Sequence, residues 1–209
     1  MLKNKKNFCP APFVHGYVNA NNRAHKLCCM SDIVGRFDGT KPLQETFQDF
    51  WNGEFMQETR ESFMKEEFPK ACWYCKEHEA KGNKEQSQRI QLLKRYENKF
   101  DFEELELDTV TGNKHNKPLD IDLRPGKLCN LKCRICTPFL STQWMKEIID
   151  LKVNDMGDVK TFTRNSREKF SENPSNEEIL KLWAPTIDYL EFYGGEPLMQ
   201  QEHDKILRI

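Results

Sequence analysis

Three cysteines on one short segment constrain this chain more than any other feature. Cys129, Cys133 and Cys136 have CxxxCxxC spacing within residues 128–136. Residues 119–123, just before them, alternate apolar and polar side chains as a β-strand does, and the run after them has helical spacing. The sequence therefore predicts three thiols on a loop at the carboxyl end of a strand, where α/β folds place their chemistry.

Three thiols are one fewer than the number of irons in a 4Fe–4S cluster, in which each iron takes one ligand besides the sulfides. Three thiolates on a short loop would hold one face of such a cluster and leave one iron open for a small molecule. The alternative is half of a zinc site. Zinc usually takes a CxxC pair and a second pair farther along the chain, which is not the spacing seen here.

A second strand is predicted at residues 188–193, and Gly194, Gly195, Glu196 and Pro197 follow it directly. Glycine lets a main chain approach a ligand closely, and an acidic side chain suits an ammonium group. Both predicted strands carry apolar side chains on one face and polar ones on the other. We expect the apolar faces to meet outer helices and the polar faces to line an open, wet lumen; the alternative is an exposed sheet edge.

Together these motifs resemble the radical S-adenosylmethionine (radical SAM) enzymes, whose signature is CxxxCxxC after the first barrel strand and GGEP after the second. The resemblance implies that the three cysteines hold a 4Fe–4S cluster whose open iron binds S-adenosylmethionine (SAM). It implies that residues 194–197 help to bind the SAM amino group. One electron from the cluster then cleaves SAM to methionine and a 5′-deoxyadenosyl radical, which takes a hydrogen atom from a substrate. The family commonly has an aromatic residue beside the adenine where this chain has Ile135.

A second set of cysteines lies in the first hundred residues. Cys9 precedes a predicted strand at 14–19, and Cys28 and Cys29 end a predicted strand at 24–28. Asn21-Asn22 between these strands predicts a hairpin turn, which would bring Cys9 near the Cys28-Cys29 pair. Adjacent residues of a strand point to opposite faces, so only one of the pair is expected to join Cys9. A CxxC pair follows at Cys72 and Cys75.

The order of these motifs, over about residues 8–90, resembles the twitch and SPASM auxiliary-cluster domains that accompany many radical SAM enzymes. The resemblance implies an auxiliary 4Fe–4S cluster on Cys9, Cys28, Cys72 and Cys75, and it favours Cys28 over Cys29. The best-known members carry this module after the barrel and have a glycine in the turn, and this chain departs from both. The alternative is a structural zinc site with four thiolate ligands.

Three histidines near these cysteines, His15, His25 and His78, could replace a thiolate, although a role on the solvated surface is favoured. Eight cysteines in a chain without a secretory signal point to a reducing cytoplasm and metal ligation, not to disulfides. No apolar run is long enough to cross a membrane. The net charge of −1 gives no electrostatic argument for nucleic acid or a membrane surface.

We therefore predict an α/β fold in three parts. Residues 1–100 form a small α+β cysteine-rich, twitch/SPASM-like module, 101–118 a linker, and 119–209 the start of a (β/α)6 TIM-like barrel. Only two strand–helix units fit after residue 119, so the barrel is expected to be incomplete, as a fragment or a chain that a second chain completes. The predicted function is reductive cleavage of SAM, with a one-electron reductant such as flavodoxin or ferredoxin and an unknown peptide or small-molecule substrate. The alternative is a non-catalytic iron–sulfur or zinc-binding protein.

Overall fold

The computed structural model describes residues 6–19, 24–36, 47, 49–97, 118–138, 140–151, 180–181 and 183–209. A parallel sheet has the strand order β1 (His15–Asn19), β4 (Asp120–Arg124) and β5 (Tyr189–Phe192). Strands β2 (Ala24–His25) and β3 (Gly35–Arg36) form a separate antiparallel pair. The α-helices whose full extent lies in the described part of the chain include α1 (Ala11–Val14), α2 (Glu54–Met64), α3 (Trp73–Ala80), α4 (Gln88–Tyr96), α5 (Thr142–Asp150) and α6 (Gln201–Leu207).

The α/β class is confirmed, and so are the two strands predicted on either side of the cysteine loop. β4 lies at the centre of the sheet and pairs in parallel with β5, and α5 lies in the connection between them. Ser141 begins α5, because its hydroxyl accepts the Gln143 N–H at 3.3 Å. Most of the predicted linker, residues 101–117, lies outside the described residues, as does the stretch 152–179.

The predicted hairpin near the N-terminus is wrong. β1 pairs in parallel with β4, 105 residues away at His15 and Asp120, while β2 pairs with β3. A period-two pattern of side chains is compatible with pairing of β1 to either β2 or β4, so the pattern does not identify the partner of β1. The long-range pairing buries His15 against the Asp120 carboxylate and places Val18 beside Leu123. β1, from the predicted first module, therefore shares a sheet with the two strands of the predicted barrel.

The apolar face of the sheet packs into the main core, as predicted. Ile121 and Leu123 of β4 are fully buried there against large aromatic side chains, and the side chains that complete the cluster come from both halves of the sequence. These are Val18, Leu27, Phe47, Trp51, Met56, Leu180, Trp183 and Ile206. This packing fixes the carboxyl end of β4, from which the cysteine loop departs.

The polar face of the sheet is not the open, wet surface that the sequence suggested. Asp120 and Asp122 are 0% and 1% exposed. Arg95 of α4 lies over this face and donates to Asp120 at 2.5 Å and to Glu191 at 2.6 Å. Arg124 donates to both carboxylate oxygens of Asp122, at 2.9 and 2.8 Å. The acidic side chains are thus buried as ion pairs, which is how a folded chain tolerates charge in its interior.

Candidate functional site

The loop of Cys129, Cys133 and Cys136 leaves the carboxyl end of β4, as predicted. Cys129 is buried, Cys136 is half-buried and Cys133 is exposed, so the loop presents its sulfur atoms from the protein interior towards solvent. The Leu131 N–H donates to the Cys129 sulfur at 3.3 Å. The Cys129 thiol in turn donates to the Leu131 carbonyl at 3.6 Å. Hydrogen bonds to the sulfur ligands are one of the means by which proteins tune iron–sulfur clusters.

The first turn of α5 holds this loop in place. Thr142 bonds to both backbone groups of Cys129, because its hydroxyl accepts the Cys129 N–H at 3.1 Å and donates to the Cys129 carbonyl at 3.2 Å. The Ser141 hydroxyl donates to the Leu131 carbonyl at 3.2 Å, and the Trp144 indole N–H donates to the Cys133 carbonyl at 3.0 Å. The cysteine loop is thus fixed by side chains of the helix that follows it.

The glycine turn after β5 lies directly against the cysteine loop. The Gly195 N–H donates to the Leu140 carbonyl at 2.6 Å, and the Glu196 N–H donates to the Leu128 carbonyl at 2.8 Å. Gly194 and Gly195 have φ values of +83° and +67°, in the left-handed region that favours glycine. Side chains at these positions would also collide with the loop, since a Cβ at Gly194 would lie 2.7 Å from the Gly126 carbonyl oxygen.

The absence of side chains at Gly194 and Gly195 therefore lets the backbone of the glycine turn pack closely against the cysteine loop. A Cβ at Gly195 would lie well inside van der Waals contact with the Leu128 carbonyl oxygen. Glu196 uses its carboxylate to accept the Leu198 N–H at 3.4 Å, and Pro197 starts the short turn Pro197–Met199. Of the four predicted residues of this segment, Gly194, Gly195 and Glu196 lie against the cysteine loop.

Gln200 joins the two segments, and the sequence gave no signal for it. Its side chain is buried, and its amide N–H donates to the Gly194 carbonyl at 2.8 Å. A Cβ at Gly126, at the start of the cysteine loop, would overlap the same amide. Gln200 thus sets the spacing between the glycine turn and the cysteine loop.

The four cysteines of the predicted auxiliary site line one pocket. Cys9, Cys28, Cys72 and Cys75 come from three separate parts of the sequence and meet around one small pocket that is partly open to solvent. The rest of the lining includes the apolar side chains of Leu27, Phe63 and Phe68. α1 carries the chain away from Cys9, and α3 begins at Trp73, between Cys72 and Cys75.

Three of these thiols, those of Cys9, Cys28 and Cys72, lie in surroundings that oppose their ionisation. Burial raises the pKa of each well above the usual value, and neighbouring cysteines raise it further, with Cys29 the largest such contribution at Cys28. Two backbone N–H groups act in the opposite direction, that of Ala11 on Cys9 and that of Met30 on Cys28. Four thiolates here require a compensating cation, which is the charge that a metal site supplies.

Cys29 faces a different part of the molecule. Its thiol pKa is raised to about 11 by burial and by the Asp122 carboxylate, while Arg124 and Lys26 act in the opposite direction. Cys29 is also not among the residues that line the four-cysteine pocket. The pKa of the Cys28 thiol is raised by burial, by the adjacent Cys29 and by the pocket residues Cys9 and Cys75, whereas the groups that act on the Cys29 pKa are charged side chains such as Asp122 and Arg124.

Two buried arginines fix the segment around Cys9. Arg60 of α2 donates to the Pro12 carbonyl at 2.8 Å and to the Trp51 carbonyl at 2.9 Å. Arg89 of α4 donates to the Phe8 carbonyl at 2.9 Å. Both guanidinium groups bond to the main chain beside the first pocket cysteine, which explains why polar side chains are buried in this module.

None of the three candidate histidines lines the pocket. His15, expected on the surface, is buried and bonded to Asp120 at 2.9 Å. His25 packs on the Phe50 ring, and burial lowers its pKa to about 4. His78 packs on the Tyr74 ring. Among the described residues, no group of three or more His, Cys, Asp or Glu side chains is arranged closely enough to hold a metal ion.

Comparisons of the chain with protein-family models, with curated proteins and with solved structures found no match. In the part of the chain that the structure describes, none of the helices has the length and apolar character needed to span a membrane.

Proposed function

We propose that this chain is a radical SAM protein, or the N-terminal part of one, that cleaves SAM reductively at a cluster held by Cys129, Cys133 and Cys136. The observation that carries the proposal is the pair of backbone hydrogen bonds between the glycine turn and the cysteine loop, at 2.6 and 2.8 Å. These bonds hold side by side, at the carboxyl end of a parallel sheet, two motifs whose nearest residues, Cys136 and Gly194, are 58 positions apart in sequence. This is the arrangement that the resemblance requires.

Three thiols are the number of protein ligands that a 4Fe–4S cluster with one open iron needs. The three thiols lie on one loop, and the Leu131 N–H donates to the Cys129 sulfur. Cys133 is exposed, so a small molecule has access to the loop. When bound, the cluster and SAM would supply the radical chemistry, and the protein would hold and orient them.

The chain's own residues would act by fixing position. Thr142 and Trp144 hold the backbone of the cysteine loop, and the glycine turn holds its other side. The Gly195 and Glu196 N–H groups are already bonded to this loop. An ammonium group needs acceptors, and the carbonyl oxygens and the Glu196 carboxylate of this segment are the groups that could meet the SAM amino group.

We further propose that Cys9, Cys28, Cys72 and Cys75 hold an auxiliary 4Fe–4S cluster. The support is their convergence on one pocket and the like charge that four thiolates would bring into a buried site. The finer fold assignments are part of this proposal: a twitch/SPASM-like module in residues 1–100 and a TIM-like barrel that begins at residue 119. A cytoplasmic location, an electron donor such as flavodoxin or ferredoxin and a second chain that completes the barrel are proposed with it.

Iron analysis after anaerobic reconstitution tests these assignments. The unmodified chain is expected to bind roughly eight irons by the ligand count, and the variant with serine at positions 129, 133 and 136 roughly four. Only the unmodified chain should form 5′-deoxyadenosine with dithionite and SAM. If the triple variant binds as much iron as the unmodified chain, the assignment of the SAM-binding cluster is wrong.

The same experiment separates the alternatives. Full iron loading without 5′-deoxyadenosine would favour a non-catalytic iron–sulfur protein. Stoichiometric zinc with little iron would favour zinc-stabilised thiolate sites.

A further inference from the structure

Arg89 brings a buried positive charge to the four-cysteine pocket. It lies in the first turn of α4, where the Ser87 hydroxyl accepts the Ile90 N–H at 3.4 Å and starts the helix. Arg89 lines the pocket together with the four cysteines and is 6% exposed. A charge buried in this way acts on its neighbours with little screening by solvent.

The Arg89 guanidinium is fixed by bonds on all sides. Its Nε donates to Glu79 Oε1 at 2.9 Å, its Nη2 pairs with Glu79 Oε2, and its Nη1 donates to the Phe8 carbonyl at 2.9 Å. The Ser87 hydroxyl also donates to Glu79 Oε1, at 2.6 Å. The Phe68 ring centroid lies 5.7 Å from the guanidinium. The pair is therefore held in one orientation, as planar bidentate pairs generally are.

The orientation of this pair is not symmetric with respect to the cysteines. Arg89 lines the pocket and Glu79 does not. The positive end of the pair therefore lies nearer the sulfur atoms, and the two charges do not cancel there.

We propose that the Arg89–Glu79 pair sets the reduction potential of the cluster held by the four cysteines, with Arg89 raising the potential and Glu79 lowering it. The inference rests on the proposed function, because it needs an iron–sulfur cluster at this site. One-electron reduction adds one negative charge to the buried pocket. A fixed cation nearby favours that charge and a fixed anion opposes it, and net charge near a cluster is one of the factors that set its potential.

A potentiometric titration followed by electron paramagnetic resonance tests this inference. The 209-residue chain with serine at positions 129, 133 and 136 is used, so that only the four-cysteine cluster gives a signal. Arg89→Gln should lower the midpoint potential and Glu79→Gln should raise it. We expect each change to alter the equilibrium constant for reduction about tenfold, which is about 59 mV for one electron.

Two control variants show whether charge is responsible. Arg89→Lys keeps the positive charge and should have a potential close to that of the parent chain. Lys94→Gln removes a positive charge from the same helix, but Lys94 pairs with Glu85 on the exposed surface, so its potential should not change. A purely structural effect would not give shifts of opposite sign for the two partners of one ion pair.

Shifts in the same direction, or no shift, for Arg89→Gln and Glu79→Gln would overturn the inference. If Arg89→Gln does not fold because the half-buried Glu79 is left without its partner, the Glu79→Gln result decides alone. An increased potential then supports the inference, and an unchanged or decreased one overturns it. If the parent chain forms no cluster, or forms a cluster that Cys75→Ser does not abolish, the proposed auxiliary cluster is itself wrong, and the inference is overturned with it.

Discussion

Replacing Arg95 with methionine should destabilise the fold measurably, because Arg95 connects α4 to two strands of the sheet. Its guanidinium donates to Asp120 at 2.5 Å and to Glu191 at 2.6 Å and lies 4.3 Å from the Tyr189 ring centroid. Methionine keeps much of the aliphatic packing of the side chain and removes the charge. The Asp120 carboxylate, which is fully buried, would then be left with the His15 ring as its main partner.

The size of the effect follows from the burial of the two ion pairs. Removing one partner of a buried pair costs about 3–5 kcal/mol. Arg95 is 24% exposed and Glu191 is 20% exposed, so solvent screens part of the interaction. We therefore expect Arg95→Met to lower the free energy of unfolding by about 2–3 kcal/mol, which is less than the cost for a fully buried pair. With a urea m-value of about 2–3 kcal/mol/M, the midpoint should decrease by about 1 M.

Urea unfolding of the reduced apo chain, followed by tryptophan fluorescence, measures this difference. Lys94→Met is the matched control, because it removes an exposed ion pair with Glu85 from the neighbouring position and should change stability by less than about 0.5 kcal/mol. If the urea midpoint of Arg95→Met differs from that of the unmodified chain by no more than the midpoint of Lys94→Met does, the argument from the buried ion pairs is refuted.

The pH dependence of the same variant has a defined sign. Burial raises the Asp120 pKa, but the bonds and charges of His15 and Arg95 outweigh it and bring the pKa below its usual value. The stabilisation is therefore present above the unfolded-state pKa of about 3.9 and is lost as the pH falls through the folded-state pKa. The difference in urea midpoint between the unmodified chain and Arg95→Met should narrow as the pH falls below about 4. A constant difference down to pH 3 would contradict this reasoning.

Two further predictions concern the cysteine sites. Gly195→Ala should cost more than Gly82→Ala, although both glycines have positive φ, because a Cβ at Gly195 would clash with the cysteine loop and one at Gly82 would meet nothing within 4 Å. We expect about 1 kcal/mol for Gly82→Ala and at least about 2 kcal/mol for Gly195→Ala in urea unfolding, and equal losses would show that the clash is relieved. Cys28→Ser should lower the iron content of the reconstituted chain by up to about four atoms, whereas Cys29→Ser should leave it unchanged; the reverse result would exchange their roles.

The two segments around the cysteine loop could be predicted from sequence because each carries a local pattern. β4 and β5 alternate with period two, and Ser141 is a recognisable helix cap. Glycines after a predicted strand indicated the turn, although they do not show that it packs against the cysteine loop. That contact depends on the parallel pairing of β4 and β5, which brings the carboxyl ends of two distant strands together.

The partner of β1 could not be predicted, because period-two alternation is compatible with any neighbouring strand. The choice of β4 depends on the burial of His15 with Asp120, a contact between residues more than a hundred positions apart. The convergence of Cys9 and Cys28 was nevertheless expected correctly, although from a hairpin that does not form. Gln200 and Arg89 gave no signal at all, because their importance comes from where tertiary packing places their polar atoms.

Electron paramagnetic resonance of the reduced, anaerobically reconstituted chain, recorded with and without SAM, tests the central proposal most directly. If Cys129, Cys133 and Cys136 leave one iron open, SAM should change the spectrum of their cluster, and Cys133→Ser should abolish the change. An identical spectrum with and without SAM, in a chain fully loaded with iron, would contradict the proposal that SAM binds at this loop.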